Sequence, residues 1–434
     1  MVRSRSLRLF PFPTRPESPN PPTTSPPLRL PWRRRLHRGR ISTSTCCTRV
    51  FRWLSCLVDR DRVPEVCRGW CAALPRHPEP KFLPPSLRDI PPPLPWLLLP
   101  SAGTASTRVS CVIDGHVLRH RVSVAQGARF FGAYGGGWLF VALKQTHRHA
   151  LVSLRTRRPE LSIRSLPVQL SLRDAPRLDN MAILAANLSA PPDDANCFGA
   201  AIATRWRFIS GPRLVVFWRM GNAVAVDAGQ LDRSQPSLEV EDLVYRGGAF
   251  HCLTQGEHLR VYDPFLGEDG TIQLGADSVS WFQPREKEDG ERVVARYILE
   301  SRGWLLVVVR FGNPGHQLPT LGFKVYESVT VEQDGQVYYY WSLLETLGGR
   351  IIFVGRGCSR SYEADRYVRF GLEEGVCFLD DGGFHDDAMM FEDDNDRAYP
   401  CSDNGFWSGP PDALQRLYHT LPPSASSSPV WLLH

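Results

Sequence analysis

The stretch Gly303-Trp304-Leu305-Leu306-Val307 joins a glycine to an aromatic residue and an apolar run, and this arrangement recurs along the chain. Glycine permits a tight turn, and a continuous apolar run is typical of a strand that is covered on both faces. The glycines of the five copies lie 74, 37, 55 and 46 residues apart, which is close to the roughly 40–50 residues of one four-stranded propeller blade. The other four copies are Gly137-Trp138-Leu139-Phe140-Val141, Gly211-Pro212-Arg213-Leu214-Val215-Val216-Phe217, Gly248-Ala249-Phe250 and Gly349-Arg350-Ile351-Ile352-Phe353.

Residues 107–434 have the pattern of β structure throughout. Short segments rich in Val, Ile, Phe, Tyr and Trp alternate with Gly, Asp, Asn and Pro turns, and no long helical pattern interrupts them. This region predicts a mainly β fold, a single β-propeller of six to eight blades; two unrelated β-sandwiches are the alternative. Because an open ring would expose two sheet edges, we expect the segment from Val109 to Val122 to share a blade with the C-terminal strands, to which Val430-Trp431-Leu432-Leu433 adds.

The first 45 residues are predicted to form a disordered tail rich in Pro and Arg. Residues 1–40 contain nine prolines, ten arginines and one acid, Glu17. Without a periodic apolar pattern they cannot bury enough surface to offset the entropy cost of ordering. An Arg-rich, acid-poor start is also typical of an organellar transit peptide, although the prolines oppose the amphipathic helix that mitochondrial import favours. Organellar import therefore stays open as an alternative.

The formal net charge of +6 is unevenly distributed. Residues 1–80 carry a net charge of +11 and residues 81–434 a net charge of −5, so the folded body is mildly acidic. Arginine outnumbers lysine 47 to 4, a bias that a GC-rich coding sequence produces without any nucleic-acid partner. We expect no nucleic-acid binding. We also expect no membrane insertion, because apolar runs such as residues 304–309 are far too short to cross a bilayer.

The eleven cysteines predict reduced thiols and a location in the cytoplasm, the nucleus or both. Their number is odd, and the apolar segment of a secretory signal does not precede them. Neither Cys46-Cys47 nor the pair Cys67 and Cys71 has the spacing of a zinc site. We therefore expect structural cysteines, no metal and no cofactor.

Residues 46–79 show helical spacing. Apolar residues recur on one face around residues 50–58 and again around residues 63–74, with the polar turn Asp59-Arg60-Asp61 between them. The pattern predicts a helical hairpin, which an extended Pro-rich linker follows over residues 80–106. So small a hairpin cannot cover its own apolar face, so a partner or the propeller must bury it. The candidate partner-binding residues on this face are Phe51, Leu54, Leu57, Val58, Val63, Val66 and Trp70.

Three polar clusters in the β region lack the residue spacing of known catalytic, metal-binding or phosphate-binding motifs. His147-Arg148-His149 is predicted to lie in a turn, where two histidines are more often solvated than ligands. The acidic region between Asp380 and Asp396 lacks the D-x-D-x-D-G pattern of a calcium loop. The segment Gly355-Arg356-Gly357-Cys358-Ser359-Arg360-Ser361 has neither a nucleophile elbow nor a P-loop lysine. We predict turns and solvated loops, with no catalytic, cofactor-binding or metal-binding residue.

Several motifs, in order along the chain, resemble a known family. The segments Val50-Phe51-Arg52-Trp53-Leu54-Ser55-Cys56-Leu57, Asp59-Arg60 and Val63-Pro64-Glu65-Val66-Cys67-Arg68-Gly69-Trp70 are similar to the second half of a plant F-box. Further matches are Leu83-Pro84-Pro85, Gly135-Gly136-Gly137-Trp138-Leu139, Leu347-Gly348-Gly349-Arg350, Val376-Cys377-Phe378-Leu379-Asp380-Asp381 and Pro429-Val430-Trp431-Leu432. Together, over roughly residues 46–434, they resemble the plant F-box proteins whose C-terminal region is a KIB-type β-propeller.

The resemblance implies a binding protein rather than an enzyme. It implies that residues 46–79, as a partial F-box, dock on the Skp-type adaptor of a cullin–RING ubiquitin ligase while the propeller holds an unknown substrate protein. The first half of the box, a Leu-Pro-x-Asp/Glu-Leu-Leu segment, is replaced by Ser42-Thr43-Ser44-Thr45-Cys46-Cys47. Two alternatives stay open: a propeller scaffold without a ligase connection, and a propeller enzyme with a site in its central channel. The enzyme would need His, Asp or Glu at the repeat positions, where Trp138, Phe250 and Trp304 stand instead.

Overall fold

The computed structural model describes two stretches of the chain. Near the start it covers Cys47, Val50, Leu54, Arg60 and residues 63–73. The longer stretch covers residues 92–100, 107–112, 117–120, 127–135, 137–144, 147–153, 165–167, 171–172, 181–205, 213–221, 224–228, 236–275, 278–313, 319–381, 398–409, 413–418 and 420–433. The tail predicted over residues 1–45 lies outside the described residues.

Strands dominate the described residues. In chain order they begin with β1 (Trp96–Leu99), β2 (Thr107–Cys111), β3 (Val117–His120), β4 (Arg129–Tyr134), β5 (Trp138–Lys144), β6 (His147–Ser153), β7 (Ser165–Pro167), β8 (Ser171–Leu172), β9 (Met181–Leu188), β10 (Phe198–Arg205), β11 (Leu214–Arg219), β12 (Val224–Asp227), β13 (Val240–Arg246), β14 (Ala249–Thr254) and β15 (Leu259–Tyr262). They continue with β16 (Pro264–Leu266), β17 (Ile272–Leu274), β18 (Ser278–Ser280), β19 (Phe282–Gln283), β20 (Val293–Ser301), β21 (Trp304–Gly312), β22 (Thr320–Gln333), β23 (Gln336–Leu343), β24 (Arg350–Phe353), β25 (Arg360–Glu363), β26 (Gly375–Phe378), β27 (Asn404–Ser408), β28 (Ala413–Leu417) and β29 (Val430–Leu432).

Helical structure is sparse in the same residues. Cys47, Val50 and Arg60 are helical, and helix α1 spans Arg68–Ala73. The 3-10 turns are Val63–Glu65, Pro236–Leu238, Ala364–Arg366 and Val368–Phe370. No helix within the described residues has the length and apolar character needed to cross a membrane.

The strands form six mainly antiparallel sheets of four or five strands each, which we call blades 1 to 6. Blade 1 consists of β29, β1, β2 and β3, blade 2 of β4 to β7, and blade 3 of β8 to β12. Blade 4 consists of β13, β14, β15 and β18, blade 5 of β19 to β23, and blade 6 of β24 to β28. The strands β16 and β17 form a separate hairpin.

Buried apolar clusters join each blade to the next. Five clusters lie between successive blades from 1 to 6, and a sixth lies between blade 6 and blade 1. In the sixth, Leu97 and Trp431 of blade 1 pack with Ile351 and Phe353 of blade 6. The six sheets therefore form a closed ring, a six-bladed β-propeller. The prediction of a single β-propeller with six to eight blades is confirmed, and the number of blades is six. The alternative of two β-sandwiches is wrong.

The ring is closed by strands from both ends of the chain. Strand β29 pairs antiparallel with β1, where Trp96 is opposite Leu432 and Leu98 is opposite Val430. Strand β1 in turn pairs with β2, and β2 with β3. The prediction is confirmed in part: β2 and β3, the described parts of the segment from Val109 to Val122, share a blade with Val430–Leu432, whereas the C-terminal strands β27 and β28 belong to blade 6. Blade 1 thus combines an early strand and the last strand of the described chain, and this pairing closes the ring.

The Pro-rich segment predicted as a linker over residues 80–106 contains a propeller strand. Trp96, Leu97, Leu98 and Leu99 form β1, and all four side chains are buried. Prolines stand on either side of this strand but not within it, so each of its backbone N–H groups can join the ladder. The propeller therefore begins at β1, earlier in the chain than the predicted start at residue 107.

One edge strand of each blade lies near the centre of the ring. Strands β29, β4, β9, β13, β20 and β25 are edge strands of their sheets, and each contacts the next in this order. Blade 6 departs from the simple meander, because β24 pairs parallel with β26 and antiparallel with β25. The connection from β24 to β25 thereby begins and ends beside the axis.

Candidate functional site

Residues 354–358, which follow β24, form a loop at the centre of the ring, and we call them the axial loop. This loop makes hydrogen bonds to the edge strands of three other blades. On blade 2, a Cβ placed on Gly132 would lie only 3.1 Å from the Cβ of Cys358. The three hydrogen bonds of the loop run from Gly357 N to Asp242 Oδ1 of blade 4 at 2.6 Å, from Asn187 Nδ2 of blade 3 to Gly357 O at 2.6 Å, and from Trp431 Nε1 of blade 1 to Val354 O at 2.8 Å.

Asp242 links the axial loop to a further blade. Its Oδ1 accepts the Gly357 N–H, and its Oδ2 accepts the N–H of Ile298 in blade 5 at 2.9 Å. Burial raises the pKa of Asp242 to about 7, although the N–H groups of Ile298 and Gly357 and the charge of Arg356 act in the opposite direction. One buried carboxyl group therefore joins blades 4, 5 and 6 at the axis.

Gly357 has a position that no other residue can take without strain. Its φ is +68°, and a Cβ at this position would lie 2.0 Å from the carbonyl oxygen of Ala186. The neighbouring thiol of Cys358 is unreactive, because burial raises its pKa to about 12 and so keeps it protonated. The segment Gly355–Ser361, which we predicted as a turn, begins with a buried structural loop rather than with a nucleophile or a phosphate cradle.

The repeat positions differ in exposure. Trp138 and Phe250 are buried in the ring, whereas Trp304 is exposed. None of the three carries a titratable group, and the axial loop occupies the centre that a channel site would need. The titratable side chains that the described residues place at the axial loop include Asp242 and Cys358, and both are buried.

A buried ionic network joins blades 5 and 6. The guanidinium group of Arg310 is fully enclosed and donates to Asp403 Oδ2 at 2.8 Å, to Asp381 Oδ1 at 3.1 Å and to the carbonyl oxygen of Leu379 at 2.8 Å. Thr320 also donates to Asp403, through both its backbone N–H and its hydroxyl. Burial alone would raise the pKa of Asp403, but Arg310 and Thr320 outweigh it and hold that pKa below its usual value.

A second network joins blades 4 and 5. Arg296 donates to Glu257 at 2.9 Å and to Glu241 at 3.1 Å. Arg285 donates to Glu257 at 3.0 Å and also pairs with Glu291. Each carboxylate and each guanidinium group of this network has an opposite charge as its partner, which offsets part of the cost of burial. Together with the first network, these bonds fix blade 5 against both of its neighbours.

A cleft of about 830 Å³ opens between blades 5 and 6. Its walls come from the loop before β20, the adjoining ends of β21 and β22, the segment after β23, and Trp407 of blade 6. Leu321 and Leu343 line the cleft and are 60% and 50% exposed. The charged lining residues are five carboxylates and two cations: Glu288, Asp289, Glu291, Glu345 and Glu374, with Arg292 and Lys324.

One signal for this cleft is present in the sequence. The acidic run Glu286-Lys287-Glu288-Asp289-Gly290-Glu291 supplies one wall. A run of charges is usually a solvated loop, and nothing in the sequence places this one beside Leu343 or Trp407. The cleft is a product of tertiary structure.

The predicted adaptor-binding residues are only partly described. Val63 is 3% exposed, whereas Val66, three residues later, is 63% exposed. Leu54 and Trp70 are half-buried, and the side chains of Phe51, Leu57 and Val58 lie outside the described residues. The second predicted helix is split, because Val63–Glu65 form a 3-10 turn in which Val66 N donates to Val63 O, and α1 begins only at Arg68. This turn brings Val66 to the surface.

Arg60, which we predicted to lie in the turn of the hairpin, is helical in the structure. It is buried, and its Nε donates to the carbonyl oxygen of Leu54 at 2.6 Å. It also lies near Tyr367 of blade 6. Burial raises the pKa of Tyr367, and the positive charge of Arg60 partly opposes that rise. The Tyr367 hydroxyl donates to Pro92 O at 2.6 Å, just before blade 1 begins.

Two polar clusters are less solvated than we predicted. His149 is buried within β6, where its ring lies 5.9 Å from that of Phe131 and 6.1 Å from that of Phe140. Asp380 is also buried and accepts the N–H groups of Ser402 and Asp403; burial raises its pKa to about 6. Residues 382–397 of the acidic region lie outside the described residues. Within the described residues, no group of three or more His, Cys, Asp or Glu side chains is arranged to hold a metal ion.

A closed propeller with a buried axial loop and an open cleft between two blades is an architecture suited to binding. The family model for the KIB1-4 beta-propeller matches residues 109–399, which is well over half of the chain. The chain therefore belongs to the KIB1-4 β-propeller family, and the resemblance predicted from its motifs is confirmed.

Among curated proteins, the chain is similar to an F-box/kelch-repeat protein of Arabidopsis thaliana. The two are 24% identical over 194 residues, which cover 42% of this chain and 48% of that protein. The chain thus matches about half the length of this relative.

Solved structures of low similarity also match. One is a putative 6-phosphogluconolactonase from Bacteroides uniformis, with 9% identity and a TM-score of 0.33, covering 78% of this chain and 99% of that one. Another is a GH43 β-1,3-galactosidase, with 10% identity and a TM-score of 0.28, covering 61% and 83% of the two chains. At these scores neither structure carries an argument about activity.

Proposed function

We propose that this protein is the substrate-recognition subunit of a cullin–RING ubiquitin ligase. The propeller binds a target protein, and residues 46–79 dock on the Skp-type adaptor that links the propeller to the cullin. One observation carries the proposal: a motif similar to the second half of an F-box directly precedes a propeller of the KIB1-4 family. The Arabidopsis relative, which by its name joins an F-box to kelch repeats, supports the same pairing.

The described part of the hairpin supports a docking role. Val66 presents an apolar side chain to solvent, and Trp70 is half-buried on α1. Val63 is buried and anchors the 3-10 turn from which Val66 projects. An exposed apolar side chain on an anchored turn can be buried by a partner without reorganising the turn.

In this proposal the chain itself performs no catalysis. The buried axial loop stands where a channel enzyme would hold its reacting groups, and ubiquitin transfer takes place on other subunits. We place the protein in the cytoplasm, the nucleus or both, where its cysteines stay reduced. It needs no metal, cofactor, nucleic acid or membrane for this role.

The test is co-purification of the tagged full chain from plant cells. The proposal expects an endogenous Skp-type adaptor and cullin in stoichiometric amounts. Val66→Asp should lower their recovery at least about tenfold, because it places a charge in the docking surface. Val368→Asp is the matched control, since Val368 is an equally exposed valine on blade 6. Absence of adaptor and cullin from the unmodified chain would overturn the proposal.

A second candidate function is a propeller scaffold with no ligase connection. The replacement of the first half of the F-box by Ser42–Cys47 favours it. The same experiment separates the two functions, because a scaffold retains its target protein but recovers neither adaptor nor cullin.

A further inference from the structure

We propose that the cleft between blades 5 and 6 is the site at which the propeller holds its target, and that it takes an apolar peptide segment flanked by arginine or lysine. This inference rests on the proposed function and adds the chemistry of the target to it.

The apolar lining of the cleft is only partly covered by the protein itself. Phe323 and Leu347 belong to the buried core between blades 5 and 6. Leu321 and Leu343 line the same cleft but leave half or more of their surface in water. Removing such surface from water is the main favourable term in most protein association. A leucine or phenylalanine side chain from a partner would extend the existing core outward.

The charge of the cleft selects the flanks of that segment. Lys324 is one of its two cations and is already paired, with its Nζ 2.6 Å from Glu288 and 3.7 Å from Glu291. Among the described residues, Asp289 and Glu345 form no ion pair. Carboxylates therefore outnumber the cations that could neutralise them, so the cleft attracts a basic segment and repels an acidic one.

The walls are held by the backbone of blade 5 before any partner arrives. Gly312 N donates to Arg292 O at 3.0 Å, and Leu344 N donates to Val325 O at 2.8 Å. These bonds tie the loop before β20 and the segment after β23 to neighbouring strands. The volume of about 830 Å³ also falls within the range of roughly 300–1,000 Å³ that is usual for preformed sites. A preformed site loses little conformational entropy on binding.

The experiment uses the purified full chain and synthetic fluorescent peptides in an anisotropy titration. The probes are a 15-residue library in which two leucine or phenylalanine positions are flanked by arginines. Two matched libraries replace either the arginines by glutamates or the apolar residues by serines. We expect members of the first library to bind and both matched libraries to bind at least tenfold more weakly. Binding should also weaken as the salt concentration rises.

Variants of the chain assign the binding to the cleft. Leu343→Ser and the double variant Asp289→Lys/Glu345→Lys should each weaken binding of the basic apolar peptides at least tenfold. The control Glu332→Lys/Asp334→Lys makes the same change of net charge on the exposed β22–β23 hairpin, outside the cleft, and should leave the affinity unchanged. Leu321→Ser serves as a second apolar variant of the cleft and should weaken binding as Leu343→Ser does. A thermal melt of every variant shows whether it is still folded, so that a loss of binding can be told from a loss of folding.

The outcomes are distinct from those of the adaptor experiment. No binding by any basic apolar peptide overturns the inference, as does equal weakening by the cleft variants and the control. If the peptides fail while adaptor and cullin co-purify, the ligase function stands and the target binds elsewhere. If the peptides bind the cleft while adaptor and cullin are absent, the inference stands and the ligase connection fails.

Discussion

The axial loop and the cleft between blades 5 and 6 both border blade 6, yet they are built in opposite ways. The axial loop is buried, and its polar groups meet partners on several blades, including Asp242 and Trp431. The cleft leaves two leucines in water and gathers carboxylates that few cations neutralise. The comparison shows which part of the ring holds the fold together and which part is free to bind.

The free-energy cost of burying polar groups explains the difference between the axial loop and the cleft. A buried polar group without a partner is expensive, so a loop that crosses the axis must satisfy its donors and acceptors one by one. Residues 354–358 achieve this with contacts whose geometry depends on Gly357. An exposed leucine costs less to leave uncovered, and the structure tolerates Leu321 and Leu343 at the surface. Changes at the axis should therefore affect stability, and changes at the cleft should affect binding.

The largest expected effect is that of Gly357→Ala. The new Cβ would lie 2.0 Å from Ala186 O on a backbone with φ of +68°. We expect the free energy of unfolding to fall by roughly 3–5 kcal/mol, from the overpacking and the strained backbone together. The measurement is urea denaturation followed by tryptophan fluorescence.

Gly349→Ala is the matched control for that change. Gly349 also has a positive φ, +77°, but no atom lies within 4 Å of its added Cβ. It should lose only the roughly 1–2 kcal/mol that a left-handed backbone costs a residue with a Cβ. Equal losses in the two variants would show that the contact with Ala186 has no special weight, and the axis would not differ from an ordinary turn.

The next effect concerns the buried network beside the cleft. Arg310→Met removes the guanidinium group that contacts the buried Asp403 Oδ2 and Asp381 Oδ1, while Arg416 stays paired with Asp403 Oδ1 at 3.1 Å. Loss of one member of a buried pair costs about 3–5 kcal/mol. Arg302→Met is the control, because Arg302 pairs with Glu363 at the surface, where such pairs contribute less than about 1 kcal/mol. Chemical denaturation of both variants tests the difference, and a similar small loss in each would contradict it.

The ring could be predicted from the sequence because its signal is local and repeated. The segment Gly303-Trp304-Leu305-Leu306-Val307 and its copies mark successive blades, and the burial of Leu305 to Val309 agrees with a strand covered on both faces. Strand β1 was missed for an equally local reason. The prolines at positions 91, 92, 93, 95 and 100 outweighed the four-residue apolar run between the last two of them.

The site could not be predicted in the same way, because its parts are distant in sequence. The axial loop looks like a turn until Gly357 is placed beside Ala186 and Asp242, which precede it by more than 100 residues. The cleft needs an acidic run before β20 to lie near Leu343 at the end of β23. For the hairpin, spacing placed Val63 and Val66 on one face, but the 3-10 turn buries the first and exposes the second.

A smaller effect is expected from the titration of Asp242 at the axis. Burial raises its pKa to about 7, above the value of about 4 in an unfolded chain. The folded protein therefore holds this proton up to a higher pH than the unfolded chain does. The contribution of Asp242 to stability is thus fully present at low pH and is lost as the pH rises towards 7.

The Asp242→Asn variant isolates this contribution. Between pH 5.5 and 7.5, the free energy of unfolding of the unmodified chain should fall by about 1–2 kcal/mol relative to the variant. Asp380, whose pKa burial raises to about 6, titrates in both proteins and cancels in the difference. Parallel pH profiles would mean that Asp242 is already ionised at pH 5.5 and that its hydrogen bonds outweigh its burial.

The smallest effect on stability is expected at the rim of the cleft. Leu343 is half exposed and lies at the end of β23, so Leu343→Ser removes little buried surface and should change the free energy of unfolding by less than about 0.5 kcal/mol. Leu347, four residues later, is buried in the core between the same two blades, and Leu347→Ala should cost about 2–5 kcal/mol. Thermal and urea denaturation of the two variants measure this contrast. If Leu343→Ser were as destabilising as Leu347→Ala, Leu343 would be part of the structural core and the division between a supporting axis and a binding cleft would not hold.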